Sequence, residues 1–413
     1  MKKFWIKVVS FFLKDHTAKY IVVMSAFLTA FTVLLWLAAM DVVSNVFGTV
    51  VGFMISSMFL YACKIIVGRM EDILKINYDT HALLEIYHGR PDYRKSVQSQ
   101  GTEATFAYAE VLVNQNYDFN VEDHPERKME LDEFIMGNYA TLFSAHSNSA
   151  KRNFDTIRLD RFDPETKTFY LSRSTYFNHL VTNRAIDFLL FDDVSLRTVY
   201  EYGPQLNRLE DSKMSNHIGI NALVFLSDGR LLIPRRKNSA TISKNKITSS
   251  IAVMLTFPNE CSGDPKHAVI TKDYLLHGNI IKNLSDRVKL PAEAVCEDQT
   301  EITFLGFGQN IYEGGKPQFY YSVKLNNVDT ETYFAQRKVF EAEQKRLHKK
   351  EVIDVDQCMY VADYDSFRYV KNCVEFTVHS PKGKTSKVRT GYEMSYLCNL
   401  WHYNEWNKAM KAD

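Results

Sequence analysis

The sequence predicts an α+β protein built in three parts. Two long uncharged apolar runs open the chain, a stretch with helical spacing follows, and alternating short strands and helices fill the rest. The 413 residues give room for two or three units at about 100–200 residues each. Lys and Arg number 50 against 49 Asp and Glu, so no global basic field exists to hold duplex nucleic acid. Hydrophobic residues make up 46% while the mean hydropathy is only −0.25, which concentrates the apolar residues in one place. The six cysteines include no CxxC pair, so zinc-ribbon, thioredoxin-type and disulfide frameworks have no support.

Tyr20–Met40 and Val42–Cys63 carry no formal charge, and each reaches the roughly 20 residues that a bilayer-crossing helix needs. The expectation is a transmembrane hairpin over 20–67, with helices at about 20–40 and 46–67 and Asp41–Asn45 as the turn. Lys2, Lys3, Lys7, Lys14 and Lys19 precede it, and Lys64, Arg69 and Lys75 follow it. The turn carries no basic residue, so the positive-inside rule places residues 1–19 and the C-terminus in the cytoplasm of an inner-membrane protein. Gly48, Gly52 and Ser56 recur every fourth residue, a spacing that lets helix backbones pack closely in lipid, so self-assembly is expected there.

Residues 68–165 read as a helical connector, with helices over 70–89, Thr102–Asn114 and Glu126–Phe143. From 166 the pattern changes to strands. Lys167 onward gives a strand, then a helix capped at Ser174 or Thr175. Residues 220–236 form two β-rich runs joined by Asp228-Gly229, a strong hairpin signal. A strand at Ser249–Phe257, a helix at Asp273–Val288, and strands at Glu301–Gly308 and Gln318–Leu325 around a Gly-Gly turn come next. Helices at Thr330–Lys350 and Tyr392–Met410 close the chain.

The stretches NALVFLSDGRLLIPRR and FLGFGQNIYEGGKPQFYYSVKL, in this order, resemble the opening hairpin and later strands of a Nudix domain over about Phe169–Val378. The resemblance implies a degenerate Nudix-like α/β/α sandwich. The family box GX5EX7REUXEEXGU has its best register with Lys282–Leu290 over REUXEEXGU. There the three glutamates become Asn283, Asp286 and Arg287, and the glycine becomes Lys289. Diphosphate hydrolysis by this box needs carboxylates around a divalent metal. A guanidinium about 4 Å from a cation costs several kcal/mol at an effective dielectric near 20, so no metal, cofactor or catalytic residue is expected. A cationic helix in such a cleft can hold phosphates without cutting them.

A membrane hairpin joined to a degenerate Nudix domain is similar in layout to the transmembrane–Nudix effectors of bacterial cyclic-oligonucleotide-based anti-phage signalling. That resemblance implies a non-enzymatic effector of antiviral defence. Its ligand would be a cyclic oligonucleotide second messenger made by a partner nucleotidyltransferase. Binding would drive homo-oligomerisation, disruption of inner-membrane lipid and death of the infected cell. The expected ligand contacts are Arg173, Tyr176, Arg235, Arg236, Lys244, Lys246, Lys282, Asp286 and Arg287. Two other readings compete. One is a membrane-anchored Nudix-type hydrolase with unconventional ligands, Asp286 with Glu260 or Glu293; the other is a passive membrane-anchored adaptor. The 12 histidines show neither HxxxH nor HExxH spacing, and no GxSxG elbow occurs.

Overall fold

The computed structural model describes residues 75–115, 118–146, 152–191, 194–236, 244–258, 267–347 and 357–412, with Phe27, Ala30, Met54, Ser57 and Met58. In chain order the first elements are α1 (Thr80–Ile86), β1 (Arg94–Ser99), β2 (Thr102–Ala107), β3 (Ala109–Val113) and β4 (Asn120–Lys128). Then come α2 (Glu133–Gly137), α3 (Tyr139–Ser144), β5 (Asp155–Asp163), β6 (Thr168–Thr175), α4 (Tyr176–Val181) and α5 (Leu196–Tyr200). The central elements are β7 (Gly219–Phe225), β8 (Leu231–Arg236), β9 (Lys246–Ile247), β10 (Ile251–Met254), α6 (Asn279–Val288), β11 (Thr300–Asn310) and β12 (Lys316–Leu325). The chain ends with α7 (Thr330–Arg346), β13 (Gln357–Ala362), β14 (Arg368–Val370), β15 (Cys373–His379), β16 (Thr385–Tyr392) and α8 (Met394–Ala412).

This is a mixed α/β protein around one large sheet, not the sandwich behind a helical connector that the sequence suggests. Eleven strands share the sheet, and β13 pairs with both β15 and β8. The path β8–β13–β15–β16–β9 therefore returns to β8, giving a barrel-like closure. Closure removes edges that would otherwise need covering. On the other flank β7 pairs parallel with β12, β12 antiparallel with β11, and β11 with β3.

The connector expectation fails because its residues alternate rather than repeat at helical spacing. Ala104, Phe106 and Tyr108 pack in one core while Ala107 and Ala109 pack in another, the period-two division of an extended chain between two layers. Gln100 and Gly101 have φ of 48° and 68°, the two-residue turn that joins β1 to β2. β4 (Asn120–Lys128) takes the first three residues of the third expected helix, and only α2 and α3 are helical in the rest of it.

Among the described residues no helix is long and apolar enough to cross a membrane. The longest, α8, carries Asn399, His402, Asn404, Glu405 and Lys408. The two-span inner-membrane location with both termini cytoplasmic therefore has no support in the structure. Apart from the five isolated residues named above, the two apolar runs, with Gly48, Gly52 and Ser56, lie outside the described residues.

Two cores flank the sheet. On β7, Ile220, Ala222 and Val224 pack with Leu275, Ile280, Leu284 and Val288 of the α6 side. Leu223 and Phe225, one residue out of phase, pack with Tyr396, Leu397 and Trp401 of α8. Period-two alternation thus sends neighbouring residues of one strand to opposite layers. Each layer is anchored by a helix whose apolar stripe matches it.

Candidate functional site

A cavity of about 530 Å³ opens at one end of this sheet. β7 and β12 begin there, while β8, β10 and β11 end there. Antiparallel and parallel pairing together bring Arg236, Met254, Asn310, Lys316 and Gln318 to one rim. α6 adds Asn283 and Arg287, α4 adds Tyr176 and His179, and the start of α8 adds Glu393, Met394 and Ser395. The volume is in the usual range for a small-molecule site.

The charged lining residues are Arg184, Arg236, Lys316 and Arg287 against Glu313 and Glu393, an excess of two cations in a chain with net charge +1. Glu313 is buried beneath them. It accepts from Arg184 Nη1 at 2.8 Å and lies 3.3 Å from Lys316 Nζ. Burial alone would raise its pKa, but Lys316 and Arg184 hold it down at about 2. That triad is paired within itself, with one cation in excess. Arg236 and Arg287 are not: neither makes a side-chain hydrogen bond or an ion pair with a described residue. Burial, then the nearby Arg236, push the Arg287 pKa below its ordinary value. A guanidinium does not give up its proton in a protein, so the repulsion persists until an anion arrives.

Aromatic faces line the same space. Tyr176 stacks on Phe154 with ring centroids 4.9 Å apart and planes 8° from parallel. Tyr78 stacks on Tyr312 at 6.1 Å. The α4 cap explains where Tyr176 sits: Thr175 accepts from the Asn178 amide at 3.1 Å, which starts the helix one residue after β6.

Three of the nine expected contacts, Tyr176, Arg236 and Arg287, thus line one cavity. Lys246 sits beside it, its Nζ 5.2 Å from the centre of the Tyr78 ring. The others are elsewhere. Arg235 alternates to the opposite side of β8 and reaches the Asn245 carbonyl at 3.5 Å. Lys244, half-buried in the β8–β9 turn, does not line the cavity. Lys282 donates to the Phe257 carbonyl, and Asp286 is exposed on the outer side of α6. Lys289 carries a φ of 65° at the helix end, where glycine is the usual occupant.

Arg173 is a structural residue. Its two Nη atoms reach the Asp123 carboxylate at 2.6 and 2.8 Å, and Nη2 also donates to the Ala268 carbonyl at 2.8 Å. Both side chains of the pair are almost fully buried. Breaking a buried pair leaves an uncompensated charge and costs about 3–5 kcal/mol. Arg173→Met is therefore expected to lower unfolding stability by about that amount. Denaturant titration checks this, and an unchanged midpoint would refute the structural assignment.

His179 and His217 escaped the sequence reading because 38 positions separate them. They form a buried pair with ring centroids 3.7 Å apart, at the cavity wall. Burial holds both neutral, helped for each by Lys316 and Arg184. Among the described residues no group of three or more His, Cys, Asp or Glu is placed to hold a metal ion. Glu293 is exposed on a 3-10 turn away from the cavity, and Glu260 lies outside the described residues. No protein-family model matches the chain, and no curated protein matches it.

Proposed function

We propose that this cavity binds an anionic nucleotide, of the cyclic-oligonucleotide class used as second messengers, and does not hydrolyse it. The observation that carries the reading is the pair Arg236 and Arg287 on one cavity, neither side chain hydrogen-bonded or ion-paired to a described residue. A phosphodiester offers the charge and the acceptor oxygens that this pair lacks, and guanidinium groups match its geometry. The stacked Phe154–Tyr176 pair supplies a flat apolar surface of the kind on which bases stack. In this reading a nucleotidyltransferase supplies the ligand, and the liganded chain acts as an effector of antiviral defence through assembly with further copies.

The test is incubation of the full chain with cyclic and linear nucleotides plus Mg²⁺ or Mn²⁺, followed by chromatography and equilibrium binding. The expected result is saturable binding with the nucleotide recovered intact. Metal-dependent product that disappears in Asp286→Ala would make the protein a hydrolase instead. Absence of binding to every nucleotide and to inorganic pyrophosphate would remove the reading altogether.

A further inference from the structure

We infer that Asn221 and Gln318 form a base-reading pair in the cavity, presenting one hydrogen-bond donor beside one acceptor to the edge of a nucleobase. This rests on the nucleotide reading above and adds what part of the nucleotide is recognised. Asn221 on β7 and Gln318 on β12 are brought together by the parallel pairing, in which Gln318 is opposite Gly219. Asn221 Nδ2 donates to Gln318 Oε1 at 2.7 Å. Both line the cavity, yet they are only 3% and 5% exposed. Farther along the same strand faces stand Leu223, Phe225 and Tyr320, all in the apolar α8 layer. Two amides at the head of an apolar row are costly unless something uses them.

A primary amide has two N–H donors and a carbonyl acceptor. The mutual bond takes one donor of one residue and the acceptor of the other. Neither amide makes another hydrogen bond to a described residue. Whichever way the two amides are turned, one keeps a free carbonyl and the other a free NH₂ group. Adjacent donor and acceptor are what a base edge carries, and side-chain amides read such edges. Glu393 Oε2, buried and without a hydrogen-bond partner, adds a second acceptor from the start of α8.

Gly219 seats the pair. A Cβ built there would lie 2.0 Å from Gln318 Oε1 and 2.9 Å from its Nε2. The obstacle is the end of a flexible side chain, so Gly219→Ala displaces the Gln318 amide and leaves the strand intact. Gln318→Met is a second variant of similar length that removes the amide outright.

Equilibrium binding to the full chain would use the four ribonucleoside triphosphates, the matching cyclic dinucleotides and inorganic pyrophosphate. The parent is expected to prefer one base by about tenfold, the discrimination of one good polar contact. Gly219→Ala is expected to reduce that preference to under about threefold while pyrophosphate affinity stays within about twofold. Gln318→Met should lose the same preference. A parent indifferent to the base, or variants that keep its preference, would overturn the base-reading pair and leave the phosphate site standing. A parent that binds neither nucleotides nor pyrophosphate would overturn both.

Discussion

Acidification from pH 7.5 to pH 5 is expected to bring the protein to the edge of unfolding. Four histidines, His146, His179, His217 and His402, are at most 3% exposed. Burial drives the pKa of each below the ordinary value, for His402 to about 3. A histidine freed by unfolding takes a proton below about pH 6.5, whereas the buried one does not. The unfolded state therefore binds more protons, and stability falls as the pH drops below that point. Each such group contributes about 1.4 kcal/mol per pH unit. Glu201 opposes one of the four. Burial raises its carboxyl to about 7, so between about pH 4.5 and 7 its native form holds a proton that the unfolded form releases. The balance is a slope of about 4 kcal/mol per pH unit over roughly pH 6 to 4.5, against a typical total of about 5–15 kcal/mol. Urea midpoints at pH 7.5, 6 and 5 measure it. His179→Phe should reduce the slope by about one proton's worth. A midpoint that does not move between pH 7.5 and 5 would show that these rings take up protons in the native state as readily as in the unfolded chain.

How far the sequence announces this arrangement depends on the range of the interaction involved. Asp228-Gly229 marks the β7–β8 hairpin because a tight turn, here Ser227–Gly229 between Leu226 and Arg230, leaves its signature in adjacent letters. Gln100-Gly101 carries a comparable signal, but the Ala and Glu content of 102–114 suggests a helix and hides it. Barrel-like closure depends on β13 meeting β8, as in Gln357 opposite Arg236. No local pattern reports a pairing across 121 positions, and the same blindness placed Arg173 among the ligand contacts. Its partner Asp123 is 50 residues away, so a buried ion pair and a free binding group look alike in the sequence. Arg236 and Arg287 were legible for a different reason. One ends a strand, the other stands on the polar side of a short amphipathic helix, and neither forms an ion pair with a described acidic neighbour.

Charge reversal at Arg287 is expected to abolish ligand binding while making the empty protein more stable. The two effects have one cause. Arg287 and Arg236 repel each other in the unliganded cavity, and this cost is borne by the folded state alone. Arg287→Glu turns that repulsion into attraction, so the thermal midpoint should rise at low salt and the gain should fade as salt screens it. For an anionic ligand the sign is opposite. A charge-assisted hydrogen bond contributes about 1.5–3 kcal/mol, and replacing the donor by a carboxylate adds repulsion to that loss. The affinity for a cyclic dinucleotide or pyrophosphate should fall by about 100-fold or more, and Arg287→Gln should fall between the two. A merely structural arginine would behave differently: its loss would lower stability and binding together. A thermal midpoint that falls in Arg287→Glu, or an affinity that holds, would remove the arginine pair from the phosphate site. Stability and affinity moving in opposite directions is the behaviour of a site kept electrostatically unsatisfied so that its ligand can satisfy it.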